Sequence, residues 1–306
     1  MRSTRFCFGL LMGLVVAAPF ALAAGPLDPQ IKQGEYLYRA AGCEGCHTDT
    51  KHGGKRLSGG HALETPFGTF YAPNITSDKE TGIGRWSEQD FIRALRLGMN
   101  PIGDHYYPSF PYPSYTQLTD DDMRALWAYL KAQPPVKQAN RYHELKWFAR
   151  SRSFLGSWKR LYFMPGVYQP DATKSSTWNR GAYLAEAATH CGECHTPRNV
   201  LGGIEAKLRY AGTRTGPEGG VMPNITPDKA TGIGKWRASE LAEYLETGLT
   251  PDGDLAGDLM AEVIDNGLKY LRKDDLAAIS EYVLSLPPVE NLMHKPKKPV
   301  KKEVFE

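Results

Sequence analysis

Cys43-Glu44-Gly45-Cys46-His47 and Cys191-Gly192-Glu193-Cys194-His195 are the two stretches on which the reading of this 306-residue chain turns. Each is C-x-x-C-H, the attachment sequence of c-type haem. Two thiols at that spacing add across the two vinyl groups of one porphyrin, and the next residue sets an imidazole under the iron. A disulfide within each pair, or one zinc held by both pairs, gives no reason for the histidine that follows each. A redox C-x-x-C belongs on a thioredoxin-like βαβ pattern, which this sequence lacks.

The fifth cysteine, Cys7, falls in an N-terminal address: a basic start (Arg2, Arg5), an apolar run over residues 6–18 and a small-residue site at Ala21-Leu22-Ala23. The run is too short to read as a retained membrane span. Residues 1–23 are therefore expected to be a cleaved signal peptide, and the mature chain a soluble periplasmic protein. Its four remaining cysteines are then all committed to two covalently attached haem c groups. Lys+Arg 37 against Asp+Glu 34 is too balanced for electrostatic nucleic-acid binding.

The chain is an internal duplication. Gly34-Glu35-Tyr36-Leu37 recurs as Gly181-Ala182-Tyr183-Leu184, Pro73-Asn74-Ile75-Thr76 as Pro223-Asn224-Ile225-Thr226, and Thr81-Gly82-Ile83-Gly84 as Thr231-Gly232-Ile233-Gly234. Trp86 matches Trp236, and Asp121-Asp122 through Pro134-Pro135-Val136 matches Asp274-Asp275 through Pro287-Pro288-Val289. Two domains follow, over residues 28–136 and 179–290. A basic and aromatic connector spans 137–178, and a Lys/Pro-rich tail over 291–306 reads as disordered. The connector's aromatics are expected to pack in the inter-domain seam; the sharper alternative is that its cations meet haem propionates or an acidic partner.

Within each half a few short helices alternate with long loops. The pattern predicts a helix over 31–40 and one between a Ser87–Asp90 cap and Gly98. Another begins at Thr119 and carries Met123, Leu126, Trp127 and Leu130 on one stripe, with Leu276, Ile279 and Val283 as its later equivalent. No run alternates like a strand. The expected fold is all-α, two tandem domains each wrapped around one haem that fills much of its core.

The run of haem motif, PNIT, TGIG-x-W, YPSFPY and closing PPV resembles the haem-c subunits of membrane-associated alcohol, gluconate and aldehyde dehydrogenases. Trp178-Asn179-Arg180-Gly181 and the stretch CGECHTPRN from Cys191 resemble them too. The resemblance implies tandem cytochrome c domains that relay electrons from a partner dehydrogenase toward the respiratory chain, with no catalysis of their own. Two haems rather than three resembles the variants beside molybdenum hydroxylases. It further implies a downstream acceptor and peripheral membrane association through a partner.

An iron held by His47 or His195 needs a second ligand to act as a relay, and in cytochromes c it is usually Met. The family places that ligand at Met260, in the loop before the last helix. Its usual first-half segment reads YPAMPY; here Tyr107-Pro108-Ser109-Phe110-Pro111-Tyr112 puts Phe, which has no lone pair, in the ligand position. His105, in a flexible polar loop, and Met99 are the nearest substitutes. Otherwise the first haem is open, and a haem enzyme or sensor binding peroxide or a small gas is the alternative function. Asn74, Asn224, Trp86 and Trp236 either donate to haem propionates or hold loops and fill core.

Overall fold

Asp28 opens the first helix by accepting from the Gln30 N–H at 2.8 Å, and Pro29 supplies the preset φ of a first helical position, so that α1 runs Pro29–Ala40. The structure is a computed structural model describing residues 28–293. The expected signal peptide and the residues beyond 293, with most of the expected disordered tail, lie outside the described residues. The first attachment motif forms α2 (Cys43–His47), entered through Gly42 at φ 59°. A hairpin follows, β1 (Ala62–Thr65) antiparallel to β2 (Gly68–Tyr71), with Ala62 opposite Tyr71 and Thr65 opposite Gly68. In α3 (Glu88–Leu97) Ser87 and Asp90 form the expected capping box, and Gly98 closes the helix at φ 58°. A short turn, α4 (Tyr112–Tyr115), leads to α5 (Asp120–Ala132), capped by Thr119 and burying the stripe Met123, Leu126, Trp127 and Leu130.

The connector supplies β3 (Glu144–Leu145), a third strand beside β2, and then α6 (Leu155–Tyr162). The second half repeats the first: α7 (Ser176–Tyr183), prolonged by a π-helical turn at Leu184–Ala188, then the second motif as α8 (Cys191–His195). It closes with α9 (Ala238–Thr247), α10 (Asp258–Asn266) and α11 (Lys273–Leu284). The small sheet corrects the expectation of no strand. Its strands are four, four and two residues long, too short to show a period, and the third comes from a distant segment. Both halves are otherwise helical.

In each half the first helix lies on the last, α1 on α5 and α7 on α11. A Cβ on Gly34 would stand 1.9 Å from the Ala125 carbonyl oxygen, and one on Gly181 1.9 Å from that of Ala278. Only glycine permits so close an approach of backbones. Gly181→Ala is therefore expected to push α7 off α11 at a cost of roughly 1–3 kcal/mol. Thermal unfolding reads this out, and an unchanged melting temperature would refute the packing.

One contiguous core runs through both halves, joining Leu37, Met123 and Leu126 to Leu184, Leu276 and Ile279. Polar contacts cross between the halves reciprocally. The Tyr36 hydroxyl on α1 donates to Asp275 on α11, and the Tyr183 hydroxyl on α7 donates to Asp122 on α5. Within each half the same aspartates accept from Arg180 (2.8 and 2.9 Å) and from Gln33 (3.0 Å). Residues that match in the duplication thus meet across the seam, as in an isologous contact.

The connector divides its side chains. Trp158 donates to the Leu201 carbonyl at 2.9 Å, and Lys159 is buried, donating to the carbonyls of Leu97 (2.6 Å) and Gly98 (2.7 Å) at the end of α3. Burial pushes the Lys159 ammonium down to about 8. Trp147 and Phe154 stay exposed, which corrects the expectation that the connector's aromatics pack in the inter-domain seam, and Leu161 is exposed beside them.

Candidate haem sites

Both motifs are single helical turns entered through a left-handed residue, Gly42 at φ 59° and His190 at φ 41°. The chain must reverse sharply there so that the first cysteine follows directly on the preceding helix. Glycine takes that conformation freely, whereas His190 holds it under strain. All four thiols are free, with no disulfide in either pair. Cys46 is exposed, while Cys43, Cys191 and Cys194 are half-buried. Burial pushes the Cys43 and Cys194 thiols up to about 12, so they stay protonated.

The histidines are oriented alike. His47 Nδ1 lies 2.7 Å from the Pro73 carbonyl oxygen and His195 Nδ1 2.8 Å from that of Pro223. Burial lowers both imidazoles' pKa values, against the opposing pull of the carbonyl bond, so each ring is neutral. A neutral ring donating from Nδ1 keeps its Nε2 lone pair for a metal, and the carbonyl fixes its orientation. Free thiol pairs and metal-ready imidazoles at this spacing fit haem c at both places.

Sequence reasoning missed the two proline carbonyls because they are main-chain atoms. The signal was the recurrence of PNIT itself. Asn74 Nδ2 donates to the Val136 carbonyl at 2.7 Å and to Thr81 Oγ1 at 3.1 Å, while its Oδ1 accepts from Thr76. Asn224 repeats this with Val289 (2.7 Å), Thr231 (3.0 Å) and Thr226. PNIT, TGIG and PPV, distant in sequence, are one hydrogen-bonded knot behind each histidine. Both asparagines are used in full by this knot and hold the loop, which decides between the two roles left open for them.

Met260 lies in the first turn of α10, partly buried against the shared core, rather than in a loop. Gly257 starts that helix, accepting from the Ala261 N–H at 2.8 Å, inside a Gly/Asp-rich stretch that reads as coil. Phe110 sits among tyrosines, its ring centroid 5.6 Å from Tyr106 and 5.7 Å from Tyr115. His105 is not the swinging side chain expected of a flexible loop. Its backbone bridges to Met99, and Lys159 Nζ donates to its Nδ1 at 3.0 Å. A neutral ring accepting at Nδ1 carries its proton on Nε2 and has no lone pair left for iron.

The two motifs approach one another. The Ala41 carbonyl, just before the first motif, accepts from the Tyr115 hydroxyl at 3.2 Å and from His190 Nε2 at 3.3 Å. His190 directly precedes Cys191, and its ring meets that of Tyr115 edge-on at 5.4 Å. Ser114 on α4 donates to Glu193 of the second motif at 2.8 Å, while α10 lies against α2. Each half's ligand-loop segment therefore borders the other half's attachment helix.

The cytochrome c family matches residues 31–134. A di-haem cytochrome c-type protein of Cereibacter sphaeroides is 42% identical over 92% of this chain and 94% of its own length. The fructose dehydrogenase cytochrome subunit of Gluconobacter japonicus is 40% identical over 85% of this chain and 53% of its own. A nicotinate dehydrogenase subunit of Pseudomonas putida is 37% identical over 91% of this chain, which spans only 24% of that protein. With two tandem cytochrome c domains, and near-complete mutual coverage with a relative of that kind, the chain belongs to the di-haem cytochromes c.

Proposed function

We propose that this protein is a periplasmic electron relay that carries two haem c groups and takes electrons from a partner dehydrogenase, of molybdenum hydroxylase type, toward the respiratory chain. Cys43, Cys46 and His47 hold one haem, and Cys191, Cys194 and His195 the other, with Met260 as the second iron's sixth ligand. The haem supplies a one-electron couple; the chain binds it, fixes the imidazole through a proline carbonyl and sets its surroundings. Phe110 leaves the first iron without the sulfur ligand that raises potential, so the two irons are expected to differ, the second being the higher.

The observation that carries the reading is the contact between motifs, where one carbonyl at Ala41 joins Tyr115 and His190. A relay needs its two centres close, and the fold brings the attachment helices together. Relatives named as cytochrome subunits of fructose, gluconate and alcohol dehydrogenases support a dehydrogenase partner. No observation favours the peroxide- or gas-binding alternative built on Phe110.

Anaerobic mixing with candidate dehydrogenases and their substrates tests the proposal. Both haems are expected to become reduced, the higher-potential one first, as followed by absorbance. Failure with every partner, together with turnover of a small substrate by the cytochrome alone, would overturn it.

A further inference from the structure

Residues 146–169 of the connector carry five basic residues and no acidic one. Lys159 is turned inward, but Lys146, Arg150, Arg152 and Arg160 are on the surface, and none is ion-paired among the described residues. Large apolar groups stand among them: Trp147 is 81% exposed, Phe154 70% and Leu161 71%. The connector also abuts the loop that follows the second attachment helix. Trp158 holds the Leu201 carbonyl, Asn199 donates to the Tyr162 hydroxyl at 3.3 Å, and Val200 at the tip is 93% exposed. Val200 is five residues from His195.

Exposed Trp, Phe and Leu amid arginines, in a segment with no acidic residue of its own, is the composition of an interface centre rather than of ordinary surface. The exposed groups come from three separate segments, including a turn outside α6. On α6 itself, Leu155 and Lys159 face inward and the Trp158 N–H is already bonded. A helix lying in a lipid interface needs one continuous apolar face, which α6 does not present. Position adds the stronger argument: electron exchange requires contact beside a haem, and this face adjoins the loop of the second.

We propose that this face docks an electron-exchanging protein whose own surface has an apolar centre and an acidic rim, and that electrons cross here to or from the second haem. The proposal rests on the relay reading above. Opposite charges steer the encounter, and the apolar groups hold it.

Stopped-flow oxidation of the reduced full-length di-haem protein tests this, with an acidic and a basic blue-copper protein as probes. The acidic probe is expected to react faster, with a rate that falls as salt rises. Lys146→Glu combined with Arg160→Glu is expected to slow it by about tenfold at low salt and to leave the basic probe no slower. Neither side chain makes a hydrogen bond or ion pair among the described residues, and unchanged haem content and potentials confirm an intact fold. Trp147→Ser is expected to slow the acidic probe at high salt too, where steering is screened.

Rates unaffected by all three substitutions would overturn the docking face. So would binding to phosphatidylglycerol vesicles that the same substitutions abolish while both probe rates stay unchanged, because the face would then be a lipid contact. Either result leaves the relay reading standing if a dehydrogenase still reduces both haems, so the two proposals fail separately.

Discussion

Exchanging both Cys191 and Cys194 for alanine is expected to give a protein with one covalently bound haem instead of two. In the proposed attachment each C-x-x-C-H holds its own porphyrin through two thioethers. The two motifs are separate helices with their own proline carbonyl behind each histidine, so removal of one pair leaves the other's attachment chemistry intact. Mass spectrometry of the purified protein shows the loss directly, and the haem absorbance per polypeptide falls by about half. The damage is expected to spread, because the core is shared. Leu184 and the alanines after it pack in the same cluster as Leu37 and Met123, and the turn before Cys191 touches Ala41. The single-haem protein should therefore unfold at a lower temperature as a whole. A variant that still carries two haems would refute the attachment at Cys191 and Cys194.

Asp275→Asn is expected to cost roughly 1–3 kcal/mol, because charge-assisted hydrogen bonds to a buried carboxylate are lost while its arginine partners keep contact with water. Asp275 is 4% exposed and accepts from Arg180, Tyr36 and Arg272. Burial alone would raise its pKa, but hydrogen bonds from Arg180, Tyr36 and Arg272 outweigh that and hold the carboxyl well below the usual carboxylate range. A depressed carboxyl stabilises the fold fully above its unfolded pKa of about 4 and loses that contribution as pH falls toward the folded value. The gap in melting temperature between wild type and Asp275→Asn should thus be at full width near neutral pH and narrow progressively as pH falls below about 4 toward the folded value. Asp274→Asn, at an exposed neighbour, is expected to change stability by no more than about 0.5 kcal/mol. An equal effect at both positions would show that the clamp contributes nothing particular.

The chemistry and the tandem plan were legible because they rest on short fixed spacings and on recurrence. Helix ends were legible where side chains make them, as at Ser87 and Asp90 or Thr119. The three-stranded sheet was hidden because β3 comes from the connector and holds two residues, Glu144 and Leu145. Met260 was placed in coil because Gly257 starts α10 with no side-chain cap. His105 looked mobile because nothing in its neighbours announces Lys159, fifty-four positions away, as its partner. The crossed tyrosine and aspartate pairs were hidden although Tyr36 matches Tyr183 and Asp122 matches Asp275 in the duplication, because these helices carry many other polar residues and recurrence does not say which of them meet.

Those crossed pairs give each half a face that is its own complement. Tyrosine of one half sits on aspartate of the other, in both directions. The tandem chain is in effect a tethered dimer. Its connector, itself folded onto the protein, makes the meeting of the two faces intramolecular. Association is thereby made independent of protein abundance, and the two halves are always present in a ratio of one to one.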